Sequence, residues 1–381
     1  MGPDRKLEEA VAAVVEPSLR MTLGELGLVR EVRSRWGKVT AAVGQASPEH
    51  PKAYQLRRAV EQALKDASGE REVAVQLDVL DEQEAAALSA RMRSLAPGGA
   101  AASAPSAPLG HEEGRPNPFM ATGSRTRVLG ISSGKGGVGK SSVTVNLAVS
   151  LARRGARVAL LDADVYGFSV PKMMGLDEKP VVVGDLLIPP VAHGVACLSM
   201  GFFVDDETPV VWRGPMLHKA LEQFLVDAWW ADPDYLVVDM PPGTGDVALS
   251  MAQYLPRSEV YVVTTPQAAA QRVAQRSAFA AKKLKLPVRG VVENMSWFTG
   301  DDGHRYELFG TGGGSSLAEL LGVPLLGQIP LVPELREGGD VGTPITVSSP
   351  DSEASRAFDA LAQQVAGIGP SRVYRKELQV R

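Results

Sequence analysis

The chain has 381 residues, 44% of them hydrophobic and 22% charged, with a formal net charge of −4. It is too long for one ordinary domain and long enough for two cores. The mild acidity gives no general electrostatic reason to bind nucleic acid, which needs clustered Lys and Arg in excess. A single cysteine excludes a disulfide framework and suits a reducing cytoplasm, where we expect the protein to reside. No run approaches the ~18 apolar residues of a membrane span, and the first residues lack an apolar signal core, so no membrane association is expected.

Residues 1–95 read as a small α/β domain. Leu7, Ala10, Val11 and Val14 recur at helical spacing before Pro17, and short strands are expected at 29–33 and 39–43. Tyr54, Leu56, Val60 and Leu64 mark a second helix, and Val73, Val75, Leu77 and Val79 alternate as a strand. Residues 96–117 are rich in Ala, Pro, Gly and Ser without apolar period, which predicts a flexible linker.

Residues 118–369 carry the chemistry. The apolar run Val128-Leu129-Gly130-Ile131 leads into Gly134-Lys135-Gly136-Gly137-Val138-Gly139-Lys140-Ser141-Ser142, and Val143, Leu147 and Leu151 continue at helical spacing. Gly134, Gly139, Lys140 and Ser141 satisfy the P-loop pattern, whose glycines turn backbone N–H groups toward phosphates at a helix N-terminus. ATP and Mg²⁺ are therefore the expected ligands, with Lys140 on the β/γ-phosphates and Ser141 on the metal.

Further strands place carboxylates where an open parallel sheet binds its ligands. Val158-Ala159-Leu160-Leu161 delivers Asp162 and Asp164. Tyr235-Leu236-Val237-Val238 ends in Asp239, a carboxylate expected to reach Mg²⁺ through water, and Gly243 follows with a backbone N–H for a γ-phosphate. A strand at 288–293 runs into Asn294, whose paired donor and acceptor suit the adenine edge, with turn capping as the alternative. The basic run Lys282-Lys283-Leu284-Lys285 ends a helix and complements its dipole. A strand at 325–328, a closing helix at 353–365 and a loose tail at 370–381 complete a doubly wound, mostly parallel α/β domain.

Lys135 is one lysine more than a P-loop needs. It makes the loop resemble the deviant Walker A motif of the superfamily that includes MinD, ParA and the nitrogenase iron protein. That resemblance implies an ATP-dependent homodimer in which Lys135 reaches the partner's phosphates. It also implies that Asp162 supports the Mg²⁺ shell and that Asp164 orients the attacking water.

The combination of D-A-D-V-Y-G from Asp162, W-R-G-P from Trp212, D-M-P-P-G-T-G-D from Asp239, E-N-M-S from Glu293, F-G-x-G-G-G from Phe309 and G-Q-I-P from Gly327 resembles the Mrp/ApbC family. Glu16-Pro17-Ser18 and Leu26-Gly27-Leu28-Val29 are similar to the iron–sulfur assembly domain often fused ahead of it. The resemblance implies an ATPase that carries iron–sulfur clusters to apoproteins, with apoproteins and assembly factors as partners. A nucleotide-switched adaptor of the MinD/ParA kind, without a cluster of its own, is the alternative.

Two departures bear on that cargo. Family members typically carry C-x-x-C shortly after E-N-M-S, and two subunits together bridge a cluster. Here the stretch reads Ser296-Trp297-Phe298-Thr299-Gly300-Asp301-Asp302-Gly303-His304, where turn chemistry accounts for the acidic residues. His50-Pro51 likewise stands where the small domain usually shows Cys-Pro. Cys197 is the chain's one candidate thiolate for a cluster, although its apolar setting reads first as a small buried hydrophobe.

Overall fold

A computed structural model describes residues 3–47, 50, 52–69, 71–95, 117–121, 123–165, 167–203, 214–243 and 245–369. The expected linker (save Asn117), the expected tail, and Trp212 and Arg213 of the W-R-G-P motif lie outside them. The chain forms two compact units, one built from residues up to 124 with 178–190 and 223–231, the other from 125–177, 191–222 and 232 onward.

In the first unit the strands Val29–Arg35 and Lys38–Gln45 pair antiparallel, and Glu72–Val79 adds in parallel to the second. Alternation places Val39, Ala41 and Val43 on the buried face. They meet Leu56, Val60 and Leu64 of the helix Ala53–Ser68, spaced to share one stripe. Tyr54, expected on that stripe, is instead 70% exposed, because it sits at the first turn and off the face. Helix Glu82–Leu95, not anticipated in the sequence, contributes only Leu88, Ser89 and Met92 as buried residues. Val183, Leu186, Ile188 and Trp229 complete this core, and Trp229 Nε1 donates to Leu19 O at 3.0 Å. These four residues lie within 118–369, expected to belong to the P-loop domain, yet fill the core of the first unit.

The second unit is an eight-stranded sheet. Its order is Leu325–Ile329, Val288–Asn294, Glu259–Thr264, Arg127–Ser133, Tyr235–Asp239, Val158–Asp162, Val195–Ser199 and Val191–Ala192. All neighbours pair in parallel except the last. Such strands are covered on both faces and read as continuous apolar runs. On the central strand, Leu129 and Ile131 join the core that includes Val143, Leu147 and Phe358, from the helices Lys140–Arg153 and Glu353–Gly367. The intervening residues look the other way: Ser132 Oγ lies 2.8 Å from Ser277 Oγ on helix Ala268–Lys283. Gly130 leaves room there for Met251, since an added Cβ would stand 2.9 Å from its methyl carbon.

Among the described residues no helix is long and apolar enough to cross a membrane.

Candidate nucleotide site

The P-loop leaves the C-terminal end of the central strand and closes on helix Lys140–Arg153. Two of its glycines answer a geometric need. Gly137 and Gly139 have φ of 78° and 77°, the left-handed region that side chains avoid. Gly134 is required for a different reason, since a Cβ there would lie 2.2 Å from the backbone of Val273 and Ala274. The loop opens on a cleft of 670 Å³ that Lys135, Gly136, Lys140, Ser141 and Asp164 line with the N-terminal end of the helix. Its positive dipole and free N–H groups favour an anion there.

Lys140 is 6% exposed, and its Nζ lies 2.7 Å from Asp239 Oδ2 and 3.4 Å from Asp164 Oδ2. Asp239 is wholly buried. Its Oδ2 accepts from Ser141 Oγ and its Oδ1 from Thr144 Oγ1, each at 2.6 Å. Thr144 was not singled out in the sequence. The available signal was its spacing: four residues after Lys140, it stands on the same helix face.

Asp162 pairs in register with Asp239 across adjacent strands. Its Oδ2 accepts from Ser199 Oγ at 2.9 Å and its Oδ1 from the Asp164 amide at 3.1 Å. Burial first, and the Asp239 charge second, push its carboxyl up to about 8. Asp162 therefore stands behind the cleft as a neutral acid near neutral pH, while Asp164, 8% exposed, faces it. Lys135 is half-buried, with Nζ 3.4 Å from Gln267 Oε1. The loop after Asp239 is tied to the P-loop strand, because Gly243 N–H donates to Ser133 O at 2.8 Å. That N–H, expected for a γ-phosphate, is engaged within the chain.

Asn294 meets a geometry different from the one expected, while Cys197 and the acidic stretch follow their first readings as a buried hydrophobe and a turn. Asn294 is 2% exposed; its Nδ2 donates to Val138 O at 2.9 Å and is engaged within the chain, while its Oδ1 has no hydrogen-bond partner among the described residues. Cys197 sits mid-strand at 0% exposure in the core, where burial pushes its thiol well up. The stretch expected to hold the family's cysteine pair is a hairpin of Phe298–Thr299 and Arg305–Tyr306. Glu353 anchors it by accepting from Trp297 Nε1, Thr299 Oγ1 and Arg305 Nη2. Asp302 closes its turn, accepting from His304 N and Tyr306 Oη, and no group of three His, Cys, Asp or Glu poised for a metal occurs among the described residues.

The first unit holds its own buried polar pair. Glu16, 2% exposed, accepts from the amides of Ser18 and Leu19, and His50 Nε2 lies 3.2 Å from Glu16 Oε1. The histidine in place of the customary cysteine thus packs against a buried carboxylate.

Residues 124–366 match the family described as NUBPL iron-transfer P-loop NTPase, and residues 4–77 match that of iron-sulfur cluster assembly protein. The iron-sulfur cluster carrier protein of Mycobacterium leprae is 42% identical over 381 residues, 95% of each chain. That of Bacillus subtilis is 41% identical, covering 86% of this chain and 87% of its own. Among solved structures, the nucleotide-binding protein of Archaeoglobus fulgidus in complex with ADP superposes with a TM-score of 0.53 at 33% identity, over 61% of this chain and 91% of that one. With a P-loop domain and an assembly-type domain both matched, the chain belongs to the iron–sulfur cluster carrier family of P-loop NTPases.

Proposed function

We propose that the protein is an ATP-hydrolysing carrier and assembly factor that hands iron–sulfur clusters to apoproteins. The observation that carries this reading is a complete phosphate cradle, Lys140 and Ser141 over Asp239, in a chain that aligns with a cluster carrier over 95% of its length.

The electrostatics support a partner exchange. Without nucleotide, Lys140 is neutralised by Asp239 and Asp164. A triphosphate in the cradle takes over Lys140, which leaves two carboxylates and the Ser141 hydroxyl as an all-oxygen set. Such donors fit Mg²⁺, with Ser141 as ligand, Asp239 acting through water and Asp162 supporting from behind. When bound, Mg²⁺ supplies charge stabilisation to the transferring phosphoryl group. Asp164, at the cleft wall, orients the attacking water. Lys135 works across a homodimer, leaving Gln267 to reach the partner's nucleotide, so that turnover is coupled to dimer opening and closing.

One buried cysteine cannot supply the thiolates of a bridged cluster. Part of the cluster's ligation therefore comes from the acceptor, a donor factor or a small thiol.

The test is anaerobic reconstitution with iron and sulfide, with and without added small thiol, followed by iron quantification and transfer to an apo-acceptor. Binding and ATP-dependent transfer that require external thiol support the proposal. No cluster under either condition, in a protein that hydrolyses ATP, moves it to a switching adaptor. Lys140→Ala should abolish nucleotide binding and any ATP-dependent transfer together.

A further inference from the structure

Three motifs have no part in the chemistry above: E-N-M-S at Glu293, F-G-x-G-G-G at Phe309 and G-Q-I-P at Gly327. They meet around one buried carboxylate. Glu293 is 1% exposed; its Oε2 accepts from Gly314 N at 2.6 Å and its Oε1 from Gln328 Nε2 at 2.7 Å and Ser296 Oγ at 3.0 Å. Gly314 must be glycine, since a Cβ there would lie 2.7 Å from Glu293 Cβ. Ser296 N donates to Ile329 O at 3.0 Å, and the backbone turns sharply at Met295, whose φ is 57°. The carboxylate thus fixes the end of strand Val288–Asn294 to its neighbour strand and to the start of helix Gly313–Leu321.

Asn294 projects from that fixed end into the P-loop. Its Nδ2 holds the carbonyl of Val138, the residue between the two left-handed glycines. The same nitrogen occupies the space beside Gly139, where a Cβ would come within 2.2 Å of it. A carbonyl held inward cannot turn toward the cleft, where its partial negative charge would repel a phosphate.

We infer that Asn294 is a positioning residue that braces the P-loop through Val138, and that Glu293, Ser296, Gln328 and Gly314 form the anchor that holds it there. The inference rests on the nucleotide-binding reading of the cleft. It assigns the three motifs to one hydrogen-bonded support that acts on the phosphates through the Asn294 Nδ2.

The full-length protein would be titrated with ATP, GTP, ADP and inorganic tripolyphosphate. Loss of one buried hydrogen bond in Asn294→Ala should weaken all four by about tenfold and by the same factor. Asn294→Asp sets an acceptor against the Val138 carbonyl and should weaken them further. Glu293→Gln places a donor among donors and should act in the same direction. Because both residues act by one route, Asn294→Ala combined with Glu293→Gln should bind no more weakly than Asn294→Ala alone. A structural loss elsewhere would instead multiply. If Asn294→Ala does not fold, Asn294→Asp, of nearly the same volume, is read in its place. A loss confined to ATP and ADP, with GTP and tripolyphosphate unchanged, would overturn the brace and restore an adenine contact. Fully multiplicative effects would overturn the anchor. Failure of the wild-type protein to bind any of the four would instead remove the nucleotide reading beneath it.

Discussion

Thr144→Val isolates one hydroxyl at the base of the site. The two side chains have nearly the same shape, so the change removes a hydrogen bond and leaves little cavity. Thr144 is fully buried, and its single hydroxyl proton has two acceptors within reach, Asp239 Oδ1 at 2.6 Å and Lys140 O at 2.9 Å. The shorter, charged acceptor takes it. A hydrogen bond to a charged group contributes about 1.5–3 kcal/mol, so the ligand-free protein should lose about that much stability. For a domain of this size that is a fall of roughly 3–12 °C in melting temperature. The nucleotide consequence is specific, because Asp239 is the carboxylate proposed to act on Mg²⁺. Affinity for ATP should fall several-fold in the presence of Mg²⁺ and little in excess chelator. Thermal melts and calorimetric titrations under both conditions measure these quantities. A variant with wild-type melting, or one whose affinity falls equally with and without Mg²⁺, would show that Thr144 does not orient Asp239.

Other perturbations test separate links. Lys135→Ala should retain nucleotide binding, because Lys140 and the loop amides remain, and should lose steady-state turnover; normal turnover would sink the cross-subunit assignment. Cys197→Ser puts a hydroxyl in a dry core and should cost about 1–3 kcal/mol in a denaturation curve, while iron incorporation per folded chain should not change; loss of iron from fully folded variant would show that the thiol is a ligand. Asp162 is raised by burial from 3.8 to about 8, so the folded chain holds a proton there that the unfolded chain has released. Its stability contribution is full below about pH 4 and declines as pH rises toward 8. Relative to wild type, Asp162→Asn should show a shallower fall in ligand-free stability across that window, and parallel pH profiles would refute the assignment.

The parts of the site carried by short-range rules were legible in the sequence. Spacing alone joins Gly134 to Lys140, and the preceding apolar run identifies the strand that presents them. Asp239 and Asp162 follow because parallel strands end where ligands bind. What escaped depends on contacts across long sequence separations. Asn294 and Val138 are 156 residues apart, so the donor was read as free for a base. The segments 178–190 and 223–231 look like ordinary parts of the P-loop domain until Val183, Leu186 and Trp229 are seen filling the other core. Helix Glu82–Leu95 was hidden by its run of alanines, which gives weak periodicity although alanine favours helix.

The cysteine departures gain a common physical meaning once both positions are placed. At the hairpin the chain substitutes a dense set of hydrogen bonds on Glu353, with the Arg305 guanidinium 4.2 Å over the Trp297 ring. In the small domain it substitutes a buried His50–Glu16 pair. Neither position retains a soft, exposed donor of the kind that iron–sulfur clusters prefer. At the hairpin the polar groups are engaged on Glu353, whereas in the small domain Glu16 Oε2 accepts two amides and Oε1 makes only its 3.2 Å approach to His50 Nε2. The nucleotide cradle, by contrast, brings Lys140, Ser141, Asp164 and Asp239 together. A retained cradle beside absent thiols fits the proposal that a cluster is ligated largely from outside the chain, which is why added thiol is the decisive variable in reconstitution.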